Sequence, residues 1–343
     1  MRPMTSTKHS AGETIVVDET TLEYPRRPGY ASGDSAVWRG IVAGLEASLP
    51  DVLEPTGLGS TRVSVVIPTL NESANLPHVM SRLPAWVHEV IVVDGHSTDD
   101  TVAMARALWP SVRVILQDGK GKGNALGCGF AAAKGDIIVM LDADGSTDPA
   151  EIPEFVKPLL EGADFVKGSR RVDGGGSTDF SALRRRGNAV LTGLFNLAYR
   201  KQYTDLCYGY NAFWAHCLPH MRVDCSGFEV ETLIHARIAR AGLEVAEVPS
   251  MEHERLNGQS NLRTFRDGRR VLGTMVSGRF ARARRGELAE WDAPVFRELA
   301  AEWESPVGLR GAQVLEGAST RRSTSSSGMR LGRGDWESSG AAA

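Results

Sequence analysis

Five successive apolar residues, Ile137-Ile138-Val139-Met140-Leu141, run directly into Asp142-Ala143-Asp144-Gly145. A strand with one wet face alternates apolar and polar residues. An unbroken apolar run instead reads as a strand covered on both faces, which calls for helices above and below a parallel sheet. Side chains alternate along an extended chain, so Asp142 and Asp144 point the same way while Ala143 points elsewhere. Two hard oxygen donors at the carboxyl end of a buried strand suit Mg²⁺ or Mn²⁺, above all a cation that also holds a diphosphate. The same residues would equally serve as a strand closed by an acidic turn at Gly145. The neighbouring segments decide between the two.

Those segments repeat one pattern. Val63 to Ile67 is an apolar strand stopped by Pro68, and Leu76, Val79 and Leu83 follow at helical spacing. Val90 to Val93 is a second strand, ending at Asp94-Gly95. Ser97-Thr98-Asp99-Asp100 is suited to cap a helix from Thr101 to Leu108. Val112 to Gln117 is a third strand, Gly119 to Gly123 a glycine-rich loop, and Asn124 to Lys134 a helix of small residues leading to the acidic strand. Helix Ala150 to Leu160 and strand Asp164 to Gly168 continue the series. This is an α/β sheet, and ligands in such sheets sit at the carboxyl ends of the strands, where every polar cluster above falls.

The second half is less regular. Arg184-Arg185-Arg186 opens a predicted helix from Asn188 to Tyr199 with an apolar stripe at Val190, Leu191, Leu194, Phe195 and Ala198. A strand, Asn211 to Trp214, a helix from Gly227 to Ala241 and a strand, Val245 to Pro249, follow. Helix Leu262 to Phe280 is basic and mildly amphipathic; it can pack its apolar face on the sheet, the reading favoured here, or lie on an anionic membrane. Residues 1–60 are expected to be a partly disordered arm, 61–282 the main folded domain, 283–303 a helical extension and 304–343 a disordered tail rich in Ser, Gly, Ala and Arg.

Composition excludes several classes. A net charge of −3 offers no basic field for nucleic acid. Cys128, Cys207, Cys217 and Cys225 show neither a CxxC pair nor zinc spacing, and fit a reducing compartment. No signal segment and no run of ~18 apolar residues is present. A cytoplasmic protein is expected, at most peripheral at the inner face of a membrane. His216, His220, His235 and His253 lack metal-site spacing and are expected to pack or face solvent.

Val65-Val66-Ile67-Pro68-Thr69-Leu70-Asn71-Glu72, then Val92-Val93-Asp94-Gly95-His96-Ser97-Thr98-Asp99-Asp100-Thr101, Gly121-Lys122-Gly123-Asn124-Ala125 and Leu141-Asp142-Ala143-Asp144 resemble, in order and spacing, the signature of glycosyltransferase family 2. The similarity covers roughly Arg62 to Phe280. It implies a GT-A (Rossmann-like) fold, α/β with a mixed, mostly parallel sheet flanked by helices on both faces. It also implies a nucleoside-diphosphate sugar donor, Mg²⁺ or Mn²⁺, and inversion at the anomeric carbon. Gly168-Ser169-Arg170, the glycines to Gly176, Asp205 with Gly209-Tyr210, and Arg255-x-x-Gly258-x-Ser260 look most like polyprenyl-phosphate sugar synthases of the dolichyl-phosphate mannose synthase type. Unlike that type, no membrane helices follow, the tract Asp224 to Glu231 matches loosely, and the N-terminal arm is extra.

On that resemblance, Pro68, Thr69, Asn71, Glu72, Asp94, Lys122 and Asp142 bind the donor, with Asp94 accepting from a base N–H and Lys122 meeting phosphate or base edge. Asp142 and Asp144 hold the metal against the diphosphate, where a cation offsets the charge of the leaving group. Ser169, Arg170, Arg255 and Ser260 are the acceptor or phosphate-binding candidates. Polyprenyl phosphate is the favoured acceptor and, being an anion already, needs no strong base. A hydroxyl acceptor on a small metabolite or glycan would need one, with Asp205 leading and Glu231 behind it; Asp205 could equally be a structural carboxylate. Arg184 to Arg186 are expected to be a solvated helix start. Catalytic importance thus falls on Asp144, Asp205 and Glu231. A binding-only descendant would have no need of Asp142 and Asp144. A nucleotidyltransferase would place a basic, glycine-rich loop where Pro68 to Glu72 stands.

Overall fold

In the computed structural model, residues 52–258 and 264–280 are described. The expectations for the extension at 283–303, for the tail at 304–343 and for most of the N-terminal arm lie outside them, as does Ser260.

Seven strands form one sheet in the order β3-β2-β1-β4-β7-β5-β8. They are β1 (Val63–Thr69), β2 (Glu89–Asp94), β3 (Arg113–Leu116), β4 (Ile137–Met140), β5 (Phe165–Ser169), β7 (Asn211–Trp214) and β8 (Val245–Pro249). β6 (Gly176–Ser177) and β9 (Met251–Glu252) pair apart from it. Six strands are parallel to one another. The exception is β7, which is inserted between β4 and β5 and antiparallel to both, with Val139 opposite Ala212 and Ala212 opposite Val166. The sheet is mixed and mostly parallel, as expected of its class.

Alternate residues of the strands feed two layers. Val65, Ile67, Val92, Val139 and Leu141 pack against helices α1 (Leu76–Met80), α2 (Thr101–Leu108) and α4 (Ile152–Leu160), through Leu76, Met104 and Phe155 among others. On the opposite face lie Val66 and Val93, against which helix α3 (Gly121–Ala132) packs at Gly129. There Phe130 meets Phe213 edge-on at 5.3 Å, and Phe165 meets His235 of helix α7 (Val230–Ala241) edge-on at 5.5 Å. Burial on both faces is why the strands are continuous apolar runs.

Three local readings change. The glycine-rich segment is not a free loop: Gly121 begins α3, so Lys122 sits in its first turn. Helix α5 (Ala182–Tyr199) starts before the arginine cluster, with Ser181 Oγ accepting from the Arg184 N–H, so Arg184 to Arg186 lie within the helix. The stripe read as one face of α5 is two: Phe195 is buried, while Val190 and Leu194 face solvent. After α6 (Leu218–Met221), the last described helix, α8 (Thr264–Phe280), packs on α5 and α7 through Val271 and Met275.

Candidate active site

The ends of β1, β2 and β4 and the start of α3 converge on a cavity of about 1130 Å³. Pro68, Thr69 and Glu72 line it from the end of β1, and Asp142 and Asp144 from the loop after β4. Lys122 lines it from α3, and Glu231 from α7. The apolar run of β4 stops where it does because its next residues must face this polar space.

Lys122 binds the two acidic sides together. Its Nζ is 2.7 Å from Asp142 Oδ1 and 2.8 Å from Glu231 Oε1. Burial opposes its charge, but the fields of Asp142 and Glu231 outweigh that and raise its pKa, so the ammonium persists. Gly209 faces this triad. A Cβ there would stand 2.9 Å from Lys122 Nζ and 3.1 Å from Asp142 Oδ2, so a side chain at this position would press on the triad.

Asp144 is tied at both oxygens. Oδ1 accepts from Ser146 N at 3.0 Å and Ser146 Oγ at 2.6 Å, across a turn for which Gly145 adopts φ 77°. Oδ2 lies 3.3 Å from Arg255 Nη1, while Arg255 Nη2 pairs with Glu72. Burial raises the Glu72 pKa, and the bonds from Asn75 and Arg255 only partly offset it. Arg255, expected at the acceptor, therefore stands among the donor-side carboxylates.

The remaining donor candidates divide. Asn71 does not line the cavity. It adopts φ 57° and accepts from Thr98 N at 2.7 Å, fastening the loop after β1 to the loop after β2. Asp94 is buried behind Gly95; its Oδ2 accepts from Ser97 N at 3.0 Å, while Oδ1 is buried without a partner. A buried acceptor left open beside a ligand cavity fits an N–H from outside the chain.

The acceptor candidates from β5 are committed internally. Ser169 is fully buried against Thr204 Oγ1 at 2.5 Å. Arg170 donates Nε and Nη2 to Asp205, at 2.6 and 2.9 Å, Nη2 also to Cys207 O at 3.1 Å, and Nη1 to both oxygens of Glu252. Its guanidinium also lies 3.9 Å from the centre of the Phe180 ring. Every donor of the fork has a partner, which leaves Arg170 unsuited to gripping a phosphate.

Asp205 is correspondingly enclosed. It is 0% exposed, and Asn188 Nδ2 donates to its Oδ1 at 2.8 Å. Burial raises its pKa, but the hydrogen bonds and charge of Arg170 outweigh burial and hold it below the usual carboxylate value. A fully bonded, acidic carboxylate with no face on the cavity is a poor proton acceptor. The structure corrects both readings to an ion pair that joins β5 to the loop before β7. Glu231, the other base candidate, does line the cavity, where it pairs with Lys122.

Sequence reasoning did not single out Glu252, which completes the Arg170 site, because nothing near it in the chain marks it. It also missed the stretch of cavity wall formed by Leu183, Val190 and Leu191 of α5 with Leu272 of α8. Arg184, Arg186 and Arg269 line this wall too. Its signal was present in the spacing of Leu183, Val190, Leu194 and Leu197, which returns to one helical face.

Among the described residues, no group of three or more His, Cys, Asp or Glu is arranged to hold a metal. Two carboxylates alone fit the mode in which Mg²⁺ or Mn²⁺ takes one or two protein oxygens and completes its shell with substrate phosphate and water. The donor set at Asp142 and Asp144 suits that mode.

The family model for glycosyl transferase family 2 matches residues 64–218. The chain is 34% identical over 215 residues to the undecaprenyl-phosphate mannosyltransferase of Micrococcus luteus, covering 59% of this chain and 87% of that protein. It is 31% identical over 213 residues to the dolichol-phosphate mannosyltransferase of Pyrococcus furiosus, covering 59% of each. Among solved structures, glucosyl-3-phosphoglycerate synthase from Mycobacterium tuberculosis, in complex with Mn²⁺, UDP and glucosyl-3-phosphoglycerate, matches with TM-score 0.52 at 26% identity. That match covers 74% of this chain and 85% of the other. The sheet order, the strand-end carboxylates and these likenesses agree: the chain is a glycosyltransferase of the GT-A fold and belongs to glycosyl transferase family 2.

Proposed function

We propose that this enzyme transfers a hexose from a nucleoside-diphosphate sugar to a lipid-linked phosphate of the polyprenyl type, with inversion and with Mg²⁺ or Mn²⁺ bound at Asp142 and Asp144. The observation that carries the reading is that two unlike groups of side chains line one cavity. One is Asp142 and Asp144, after β4, with Lys122 at the start of α3. The other combines Leu183, Val190 and Leu272 with Arg184, Arg186 and Arg269. Apolar side chains beside guanidinium groups match an acceptor that is hydrocarbon next to a phosphate. The two mannosyltransferases named for polyprenyl phosphates support it.

In this mechanism the cation, when bound, offsets the charge that builds on the departing diphosphate. Asp142 and Asp144 hold it, and Ser146 and Arg255 keep Asp144 oriented. Lys122 keeps Asp142 and Glu231 in place and offers its ammonium to the phosphates. Asp94 takes an N–H of the base. An acceptor phosphate is already anionic, so attack on the anomeric carbon needs no proton removed. Asp205 and Ser169 take no part; with Arg170 they position the wall. Catalysis takes place at a membrane surface, where such an acceptor resides.

A second reading has a soluble hydroxyl acceptor with Glu231 as base. It draws on the position of Glu231 on the cavity wall and on the structural neighbour bound to glucosyl-3-phosphoglycerate. One assay separates the two: radiolabelled UDP- and GDP-hexoses are incubated with Mn²⁺ and either a polyprenyl phosphate or 3-phosphoglycerate. Label should enter the organic phase with the lipid, vanish with EDTA, and fall about 10²–10³-fold in Asp144→Ala. Label confined to the aqueous product would overturn the lipid reading in favour of the second. Full turnover in Asp144→Ala would remove the metal mechanism.

A further inference from the structure

Helix α5 is apolar on two sides. Thr192 and Phe195 face inward, whereas Leu183, Val190, Leu194 and Leu197 are 62%, 61%, 43% and 81% exposed. At 3.6 residues per turn these four fall on one stripe. Helix α8 does the same: Val271 and Met275 are buried, while Leu272, Val276 and Phe280, each four residues on, are 42%, 52% and 77% exposed. The two helices are fastened side by side. Tyr199 Oη donates to Met275 O at 2.8 Å and Arg279 Nε to Ala198 O at 3.0 Å. Phe195, Val271 and Met275 share one inner cluster. The outward stripes then converge on the cavity, since Leu183, Val190 and Leu272 belong both to them and to its wall. Single exposed leucines are ordinary; two aligned stripes meeting at a ligand cavity are not.

Charge indicates what covers them. In a chain of net charge −3, α5 and α8 carry Arg184, Arg185, Arg186, Arg266, Arg269, Arg270 and Arg279 against one acid, Asp267, which is buried. Arg186, Arg266 and Arg269 are exposed and have no ion-pair partner among the described residues. A second copy of the same face would bring like charges together, which disfavours self-association. No helix of the described residues is long and apolar enough to cross a membrane. Apolar stripes edged mainly by arginine, with Asp179 paired to Arg184, suit shallow burial at an anionic bilayer surface.

We propose that the α5–α8 face docks on anionic lipid, bringing the mouth of the cavity to headgroup level so that a lipid phosphate enters without its hydrocarbon leaving the bilayer. This rests on the lipid-phosphate reading above. The test is co-sedimentation of the full chain with vesicles of phosphatidylcholine alone or with phosphatidylglycerol added. The chain should sediment with the anionic vesicles and not the neutral ones, and added salt should weaken binding. Leu197→Glu with Phe280→Glu, both outside the cavity wall, should lower partition at least about ten-fold, and Arg185→Gln about five-fold. Equal sedimentation of wild type and the double variant, or none with anionic vesicles, would overturn the proposal. So would a lipid-free dimer that the double variant dissociates, because a second copy would then be the occupant. Transfer to a detergent-dispersed prenyl phosphate, measured alongside, keeps the two readings apart. Transfer without vesicle binding overturns docking alone, and vesicle binding without transfer overturns the acceptor alone.

Discussion

The pair formed by Arg170 and Asp205 shows how much a residue's role depends on its surroundings. Both are nearly or wholly out of water, at 3% and 0% side-chain exposure. Removing one partner of such a pair strands the other charge. Asp205→Ala should therefore lower stability by about 3–5 kcal/mol, read as a shift in the urea midpoint at neutral pH. Acid should erase much of that difference. The folded pKa of Asp205 is depressed, so its contribution is complete above the unfolded carboxylate value, about 3.9. It is lost as pH falls through the lower folded value. A gap between wild type and variant that stays constant well below pH ~4 would contradict this assignment. The residue types were visible in the chain, but their pairing across 35 positions was not, and an aspartate in a polar loop reads equally as base or brace.

Among the elements, α3 makes the sharpest packing demand. A Cβ at Gly129 would sit 2.9 Å from Val93 Cγ2 and closer still to Val66 Cγ1, both on rigid buried strands. Alanine normally favours a helix over glycine by about 1 kcal/mol, but here overpacking should win. Gly129→Ala should destabilise by about 1–3 kcal/mol. Gly193 on α5 has nothing within 4 Å of such a Cβ, so Gly193→Ala should stabilise by about 0.5–1 kcal/mol. Thermal unfolding of the two variants checks the opposite signs. The small residues of α3 were legible as a helix because periodicity is a local property. That the helix begins at Gly121 was not. It depends on the close approach of the chain around Cys225 and Ser226, whose carbonyls would meet a Cβ at Gly123 and Gly121. The antiparallel placing of β7 was beyond local reading for the same reason.

For the whole molecule, the cavity joins parts far apart in sequence: strand ends from the first half, and α5, α7 and α8 from the second. If donor and cation share Asp142 and Asp144, UDP with Mn²⁺ should protect the folded chain more than either alone. The expected gain is about 2.7 kcal/mol with ligand at a hundred-fold excess over its dissociation constant. Asp142→Asn with Asp144→Asn should abolish the synergy measured as a thermal shift. A UDP shift indifferent to Mn²⁺ would separate the nucleotide from the carboxylates.

By itself the sequence determined the βα alternation, the doubly covered sheet and the acidic strand end, since apolar runs and their breaks are written residue by residue along the backbone. The place proposed for the leaving-group chemistry, Asp142 and Asp144, was legible with them. Tertiary structure decided which charges are already spent on one another: Arg170 with Asp205 and Glu252, Lys122 with Asp142 and Glu231, Arg255 with Glu72 and Asp144. It also decided that one stripe of α5 meets the core and another meets solvent beside the cavity. Both outcomes turn on distances between segments remote in the chain, and electrostatics and burial depend on those distances rather than on order in sequence.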